Sequence, residues 1–112
     1  MKEVTAKDMA KAFEGVLLEI APSDYYGITF EMTKANAEYR EEDKELIFTT
    51  GNHNTDGFAA VIIKENWIDS IEMDEETNEY FISFTENIPN VVVSKFKSLE
   101  ELEQERVERK RQ

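Results

Sequence analysis

The chain has 112 residues, with 25 acidic side chains against 13 basic ones and a formal charge of −12. That length suffices for one domain with a real core and falls short of two. The charge repels nucleic acid and anionic membranes at long range, which argues against direct binding to either, and the absence of cysteine rules out disulfides and thiolate zinc sites.

Hydrophobic residues make up 40% of the chain and charged residues 34%, which predicts a folded domain with a highly charged surface. No apolar run approaches the length of a membrane span. The first residues, "MKEVTAKDMAK", carry charges where a signal peptide would be apolar. A soluble, cytoplasmic protein is the expectation.

The first predicted element is an amphipathic helix over residues 5–21. Met9, Phe13, Val16, Leu17 and Ile20 follow the helical period and are expected to be buried against a sheet. Thr5 is the expected N-cap, with Asp8 three residues later in a capping-box-like arrangement. Pro22 stops the helix, and "APSDYYG" reads as a loop. Tyr25 and Tyr26 in that loop act either as a lid over the helix end or as recognition residues.

From Ile28 to Phe96 the period is two. "ITFEM" and "ELIFTT" alternate, and "KANAEYREEDK" reads as a strand followed by a turn. "FAAVIIKE" is β-branched and continuously apolar, the pattern of a central strand covered on both faces. Before it, "TTGNHNTDGF" is rich in turn formers and reads as a hairpin loop, with a small polar site at His53 and Asp56 as the functional alternative. "WIDSIEM" and "EYFISFTE" read as strands flanking "DEETN", with Trp67, Tyr80, Phe81 and Phe84 as core positions. "NVVVSKF" is the last strand.

Residues 98–111 end the chain as a helix. Ser98 and Glu101 form a capping box, and basic residues crowd its last turn. Only Leu99, Leu102 and Val107 are apolar, so it either docks by its first turns and projects or packs on another chain. The expected fold is a single α+β domain over 1–112. Its N-terminal helix packs on a mainly antiparallel, curved sheet of four to six strands, with a C-terminal helix following.

Chemistry is sparse. Glycines at 15, 27, 51 and 57 form no phosphate-binding loop. His53 is the lone histidine and cannot form a two-histidine metal site. "DEETNEYFISFTE" starts like a calcium loop but places Glu79 where glycine belongs and Thr85 where the bidentate Glu belongs. The expectation is no enzyme activity, no cofactor and no metal.

The most pointed feature is residues 65–94, which hold eight acids and no Lys or Arg. On a strand, Glu72, Asp74 and Glu76 would share one side at a repeat of about 6.6 Å, resembling the charge of a nucleic-acid strand. One reading is a solvated hairpin whose charge guards a sheet edge. The sharper reading makes Asp69, Glu72, Asp74, Glu75, Glu76 and Glu79 a docking face for a basic, nucleic-acid-binding protein. The chain would then be a non-enzymatic acidic protein-binding module such as an inhibitor or adaptor. The alternatives are an assembly protein forming homo-oligomers through strand edges or the C-terminal helix, and a small enzyme or ligand-binding domain centred on the 51–57 loop.

Overall fold

The computed structural model describes residues 1–23, 31–52 and 57–111. In chain order the elements are β1 (Lys2–Glu3), α1 (Ala6–Ala12), β2 (Leu18–Pro22), β3 (Met32–Arg40), β4 (Glu45–Asn52) and β5 (Gly57–Lys64). A 3-10 turn (Glu65–Trp67), β6 (Ile68–Asp74), β7 (Glu79–Phe84), β8 (Val91–Lys95) and α2 (Leu99–Arg111) follow. The strands form one antiparallel sheet in the order β1-β6-β7-β8-β2-β3-β4-β5. The fold is α+β with a helix at each end, as expected, but eight strands exceed the expected four to six.

Two extra strands come from the first quarter of the chain. The Thr5 hydroxyl accepts the Asp8 N–H at 3.0 Å, so the N-cap is as expected. The helix then stops after Ala12 rather than running to residue 21. Its end is fixed by Gly15, whose φ of +72° lies in the left-handed region that favours glycine. Beyond it Leu18, Ile20 and Pro22 are buried in alternation, and β2 pairs with β8 on one side and β3 on the other. Leu17, expected in the core, is 43% exposed, and its neighbour Leu18 is fully buried instead. The other unexpected strand, β1, is only two residues long and pairs with β6.

The "FAAVIIK" strand is also placed differently from expectation. β5 stands at the end of the sheet and pairs only with β4. Ile63 is buried at 5% exposure, but Ile62 is 53% exposed. The central positions belong to β8 and β2. Trp67, expected on a strand and in the core, lies in the 3-10 turn and is 48% exposed. The expected β3 strand and following turn are present.

One apolar cluster covers the α1 side of the sheet, from Ile71 on β6 to Ile63 on β5, with Met9 and Phe13 above it. The Phe13 ring meets Tyr80 of β7 edge-on, with centroids 5.4 Å apart. Between β2 and β3 the register slips, and Lys34 of β3 takes a φ of +52°. The Thr50 hydroxyl of β4 donates to the Thr33 carbonyl there at 2.9 Å.

Ser98 caps α2 as expected, its hydroxyl accepting the Glu101 N–H at 3.2 Å. From Glu100 to Arg109 every side chain of α2 except Glu105 is exposed. Lys97 reaches along the helix to Glu105 at 2.7 Å, and this hydrogen bond holds the Glu105 carboxyl below the usual carboxylate range. No described helix is long and apolar enough to cross a membrane. Tyr25, Tyr26, His53 and Asp56 lie outside the described residues.

Candidate protein-binding face

The outer face of the sheet, turned away from α1, is built by strand alternation. On β6, Ile68 faces the core, and so do Ile71 and Met73 further along. The step from an even to an odd number is a β-bulge, because Ile68 pairs with Phe84 and Ser70 with Ser83. Asp69 is the inserted residue, and it is exposed. After the bulge, Glu72 and Asp74 stand on the outer face.

The registers then set rows across the strands. Glu3 of β1 lies opposite Glu72, and Glu72 lies opposite Phe81 of β7. Phe81 pairs with Val92 of β8, which pairs with Ala21 of β2. One row further, Asp74 lies opposite Glu79, while Ser94 of β8 pairs with Glu19 of β2. Five carboxylates thus project from this half of the outer face, those of Glu3, Glu19, Glu72, Asp74 and Glu79. Among the described residues no Lys or Arg alternates onto the outer face between them, while Lys2, on the opposite face of β1, lines a hollow with Asp74, Glu75 and Glu76. The five carboxylates flank Phe81 and Val92, which are half-buried.

The rest of the outer face is patterned differently. There Arg40 pairs with Glu45, and Glu45 with Lys64, so charges alternate across β3, β4 and β5. In the acidic half, Glu3–Glu72 and Asp74–Glu79 set like charges directly opposite each other. Cross-strand pairs contribute about 0.2–1 kcal/mol, and like charges so placed are destabilising.

The hairpin between β6 and β7 follows from its residues. The Asp74 carboxylate accepts the Glu76 N–H at 2.9 Å, and the Asp74 carbonyl accepts the Asn78 N–H at 2.7 Å. Asn78 takes a φ of +59°, which asparagine tolerates. Glu75 and Glu76 are exposed on this turn, not on a strand. Glu76 therefore does not continue the row of Glu72 and Asp74, as a longer strand would require.

Of the six expected docking residues, Glu72, Asp74 and Glu79 share the outer face. Glu75 and Glu76 sit at its rim on the turn, and Asp69 sits at the bulge. Sequence reasoning missed Glu3 and Glu19. The first lies on a strand too short to show alternation, and the second falls inside the helix expected over residues 5–21. Among the described residues none of these acids forms an ion pair with Lys or Arg, and no group of His, Asp or Glu is arranged to hold a metal. Comparison with protein-family models, curated proteins and solved structures returned no match.

Proposed function

We propose that the chain is a non-enzymatic protein-binding module whose acidic outer face docks on a basic partner, with inhibitors and adaptors as the functional class. The observation that supports this most is the pair of like-charge registers, Glu3–Glu72 and Asp74–Glu79. They weaken the free fold, whereas the same sheet pairs opposite charges across β3, β4 and β5. A basic partner would relieve the repulsion on binding. Phe81 and Val92, beside the acids, supply apolar area that charge alone lacks. A complementary field of this kind acts chiefly on association rate and partner choice. A groove that binds a nucleic-acid backbone has the matching chemistry.

The test is a variant combining Glu72→Gln, Asp74→Asn and Glu79→Gln, in which the amide introduced by Asp74→Asn keeps the turn-capping oxygen. Stability in urea should stay level or rise by up to about 1 kcal/mol as repulsion is relieved. Proteins captured from source lysate at low salt by the unaltered chain are identified by mass spectrometry, then measured by surface plasmon resonance. The variant should associate with the captured basic protein more slowly and with a flatter salt dependence. A clear loss of stability would make these acids structural, and unchanged association kinetics would move the docking face elsewhere.

A further inference from the structure

We infer that the free edge of β5 pairs antiparallel with β5 of a second copy of this chain, joining two sheets into one. The argument starts from how differently the two ends of the sheet are finished. At the β6 end, an edge is guarded in several ways at once. The strand carries Asp69, Glu72 and Asp74, it is interrupted by the bulge at Asp69, and β1 covers part of it. These are the devices by which proteins prevent strand edges from recruiting other chains.

At the other end, β5 has none of them. It runs eight residues, Gly57–Lys64, in unbroken register with β4. That is about 27 Å of backbone, with half its hydrogen-bonding groups turned outward. It contains no proline, and its one charge is Lys64, at the last position. Among the described residues no element lies beside its outer edge. Ala59 and Ala60 are exposed, and Ile62 is 53% exposed. The composition of a strand flanked on both sides is thus found on a strand flanked on one.

Charge selects the occupant. Along the edge itself β5 carries no charge before Lys64, so neither an acidic nor a basic strand finds opposite charges to pair with there. The segment best matched to a neutral, β-branched edge is the same edge related by a twofold axis. With the axis normal to the sheet, Val61 and Ile63 of both copies stay on the α1 side, and Ile62 of both stays on the outer side. The two cores then continue into one another, as alternation requires. An edge-to-edge contact buries less than the about 1,200–2,000 Å² of a standard interface, so the dimer is weak and concentration-dependent. Since each copy is strongly negative, added salt should favour it. This pairing is independent of the acidic face proposed above.

The experiment is sedimentation equilibrium on the full chain from micromolar to millimolar concentration, at low and high salt. The expected result is a mass rising from 13.0 kDa toward twice that value, further at high salt. A double variant, Ala60→Lys with Ile62→Lys, changes two exposed positions and should remain monomeric while keeping its circular dichroism. Because the chain lacks cysteine, single variants Ala59→Cys, Ala60→Cys, Val61→Cys and Ile62→Cys give a second readout. Mild oxidation should cross-link at least one of them into a dimer, well above Thr77→Cys on the β6–β7 turn. A monomer under all conditions overturns the proposal. So does a dimer that survives the double lysine variant, or cross-linking no greater in β5 than at Thr77→Cys.

Discussion

Gly15→Ala distinguishes the observed end of α1 from the helix that periodicity alone predicts, because the two arrangements give opposite signs. If residues 5–21 were one helix, alanine would replace glycine in its interior and raise stability by about 1 kcal/mol. In the structure Gly15 has a φ of +72°, and a Cβ placed there meets nothing within 4 Å. The cost is therefore one of backbone conformation alone, about 1–2 kcal/mol for an L-residue held in the left-handed region. Against a typical total of about 5–15 kcal/mol this is readily measured. Urea denaturation followed by circular dichroism should show a lower midpoint with an unchanged slope, since the surface exposed on unfolding is the same. Gly15→Asn should cost less, because asparagine visits this conformation more easily. A stabilised Gly15→Ala protein would refute the assignment of residues 13–17 as a helix stop and, with it, the place of β2 in the sheet.

Phe13→Ala should cost about 3–5 kcal/mol, because Phe13 is 6% exposed and meets Tyr80 edge-on; a loss below about 1 kcal/mol in the same assay would remove this ring from the core. Truncation after Leu102 should cost less than about 1 kcal/mol, since burial rather than propensity stabilises most helices and Val107 is 45% exposed; differential scanning calorimetry checks this, and a large fall in Tm would mean that α2 braces the sheet. The Tyr39 hydroxyl donates to the Glu65 carboxylate, and this hydrogen bond, with desolvation and the nearby Glu65 and Glu41 charges, pushes the phenol up to about 12. A phenol raised above its unfolded value of about 10 favours folding while protonated, and that contribution fades as pH climbs from the unfolded toward the folded value. Ultraviolet titration should show a late-ionising tyrosine that disappears in Tyr39→Phe and moves down in Glu65→Gln.

Sequence reasoning worked where local chemistry decides and failed where distant strands decide. The Thr5 cap and the Ser98 cap are local, as is the turn at Asp74–Asn78, and all three were legible. The end of α1 was missed because Phe13, Leu17 and Ile20 fit a helical stripe, while the competing signal was a single glycine. Period two in Leu18, Ile20 and Pro22 becomes decisive only once β8 and β3 supply hydrogen bonds on both sides. The place of β5 was misread for a related reason. A continuously apolar run says that a strand wants cover, not whether the same chain provides it. At the candidate face, alternation was enough to align Glu72 with Asp74. The joining of Glu3 and Glu19 to them depends on pairings across most of the chain's length, which no local pattern encodes.

Salt separates the two proposed surfaces without any mutation. Docking by Glu3, Glu19, Glu72, Asp74 and Glu79 is an attraction between opposite charges, and exposed charges are largely screened beyond the Debye length of about 10 Å at 0.1 M. Pairing of β5 with its own copy brings like-charged bodies together through a strand without acids, so the same screening removes an obstacle. Raising salt should therefore release the basic partner and promote the dimer. The sheet order also keeps the surfaces apart. Six strand steps separate β6 from β5, up to about 28 Å along the sheet. Substitutions that share no contacts over such distances act nearly additively. The charge-neutralising variant at Glu72, Asp74 and Glu79 should consequently leave no local mark on the β5 contact. Its lower net charge should still strengthen the dimer at low salt, because long-range repulsion between copies falls. Weaker partner binding together with stronger self-association, in one variant, is the outcome expected when the acids meet the partner and a strand without acids meets its twin.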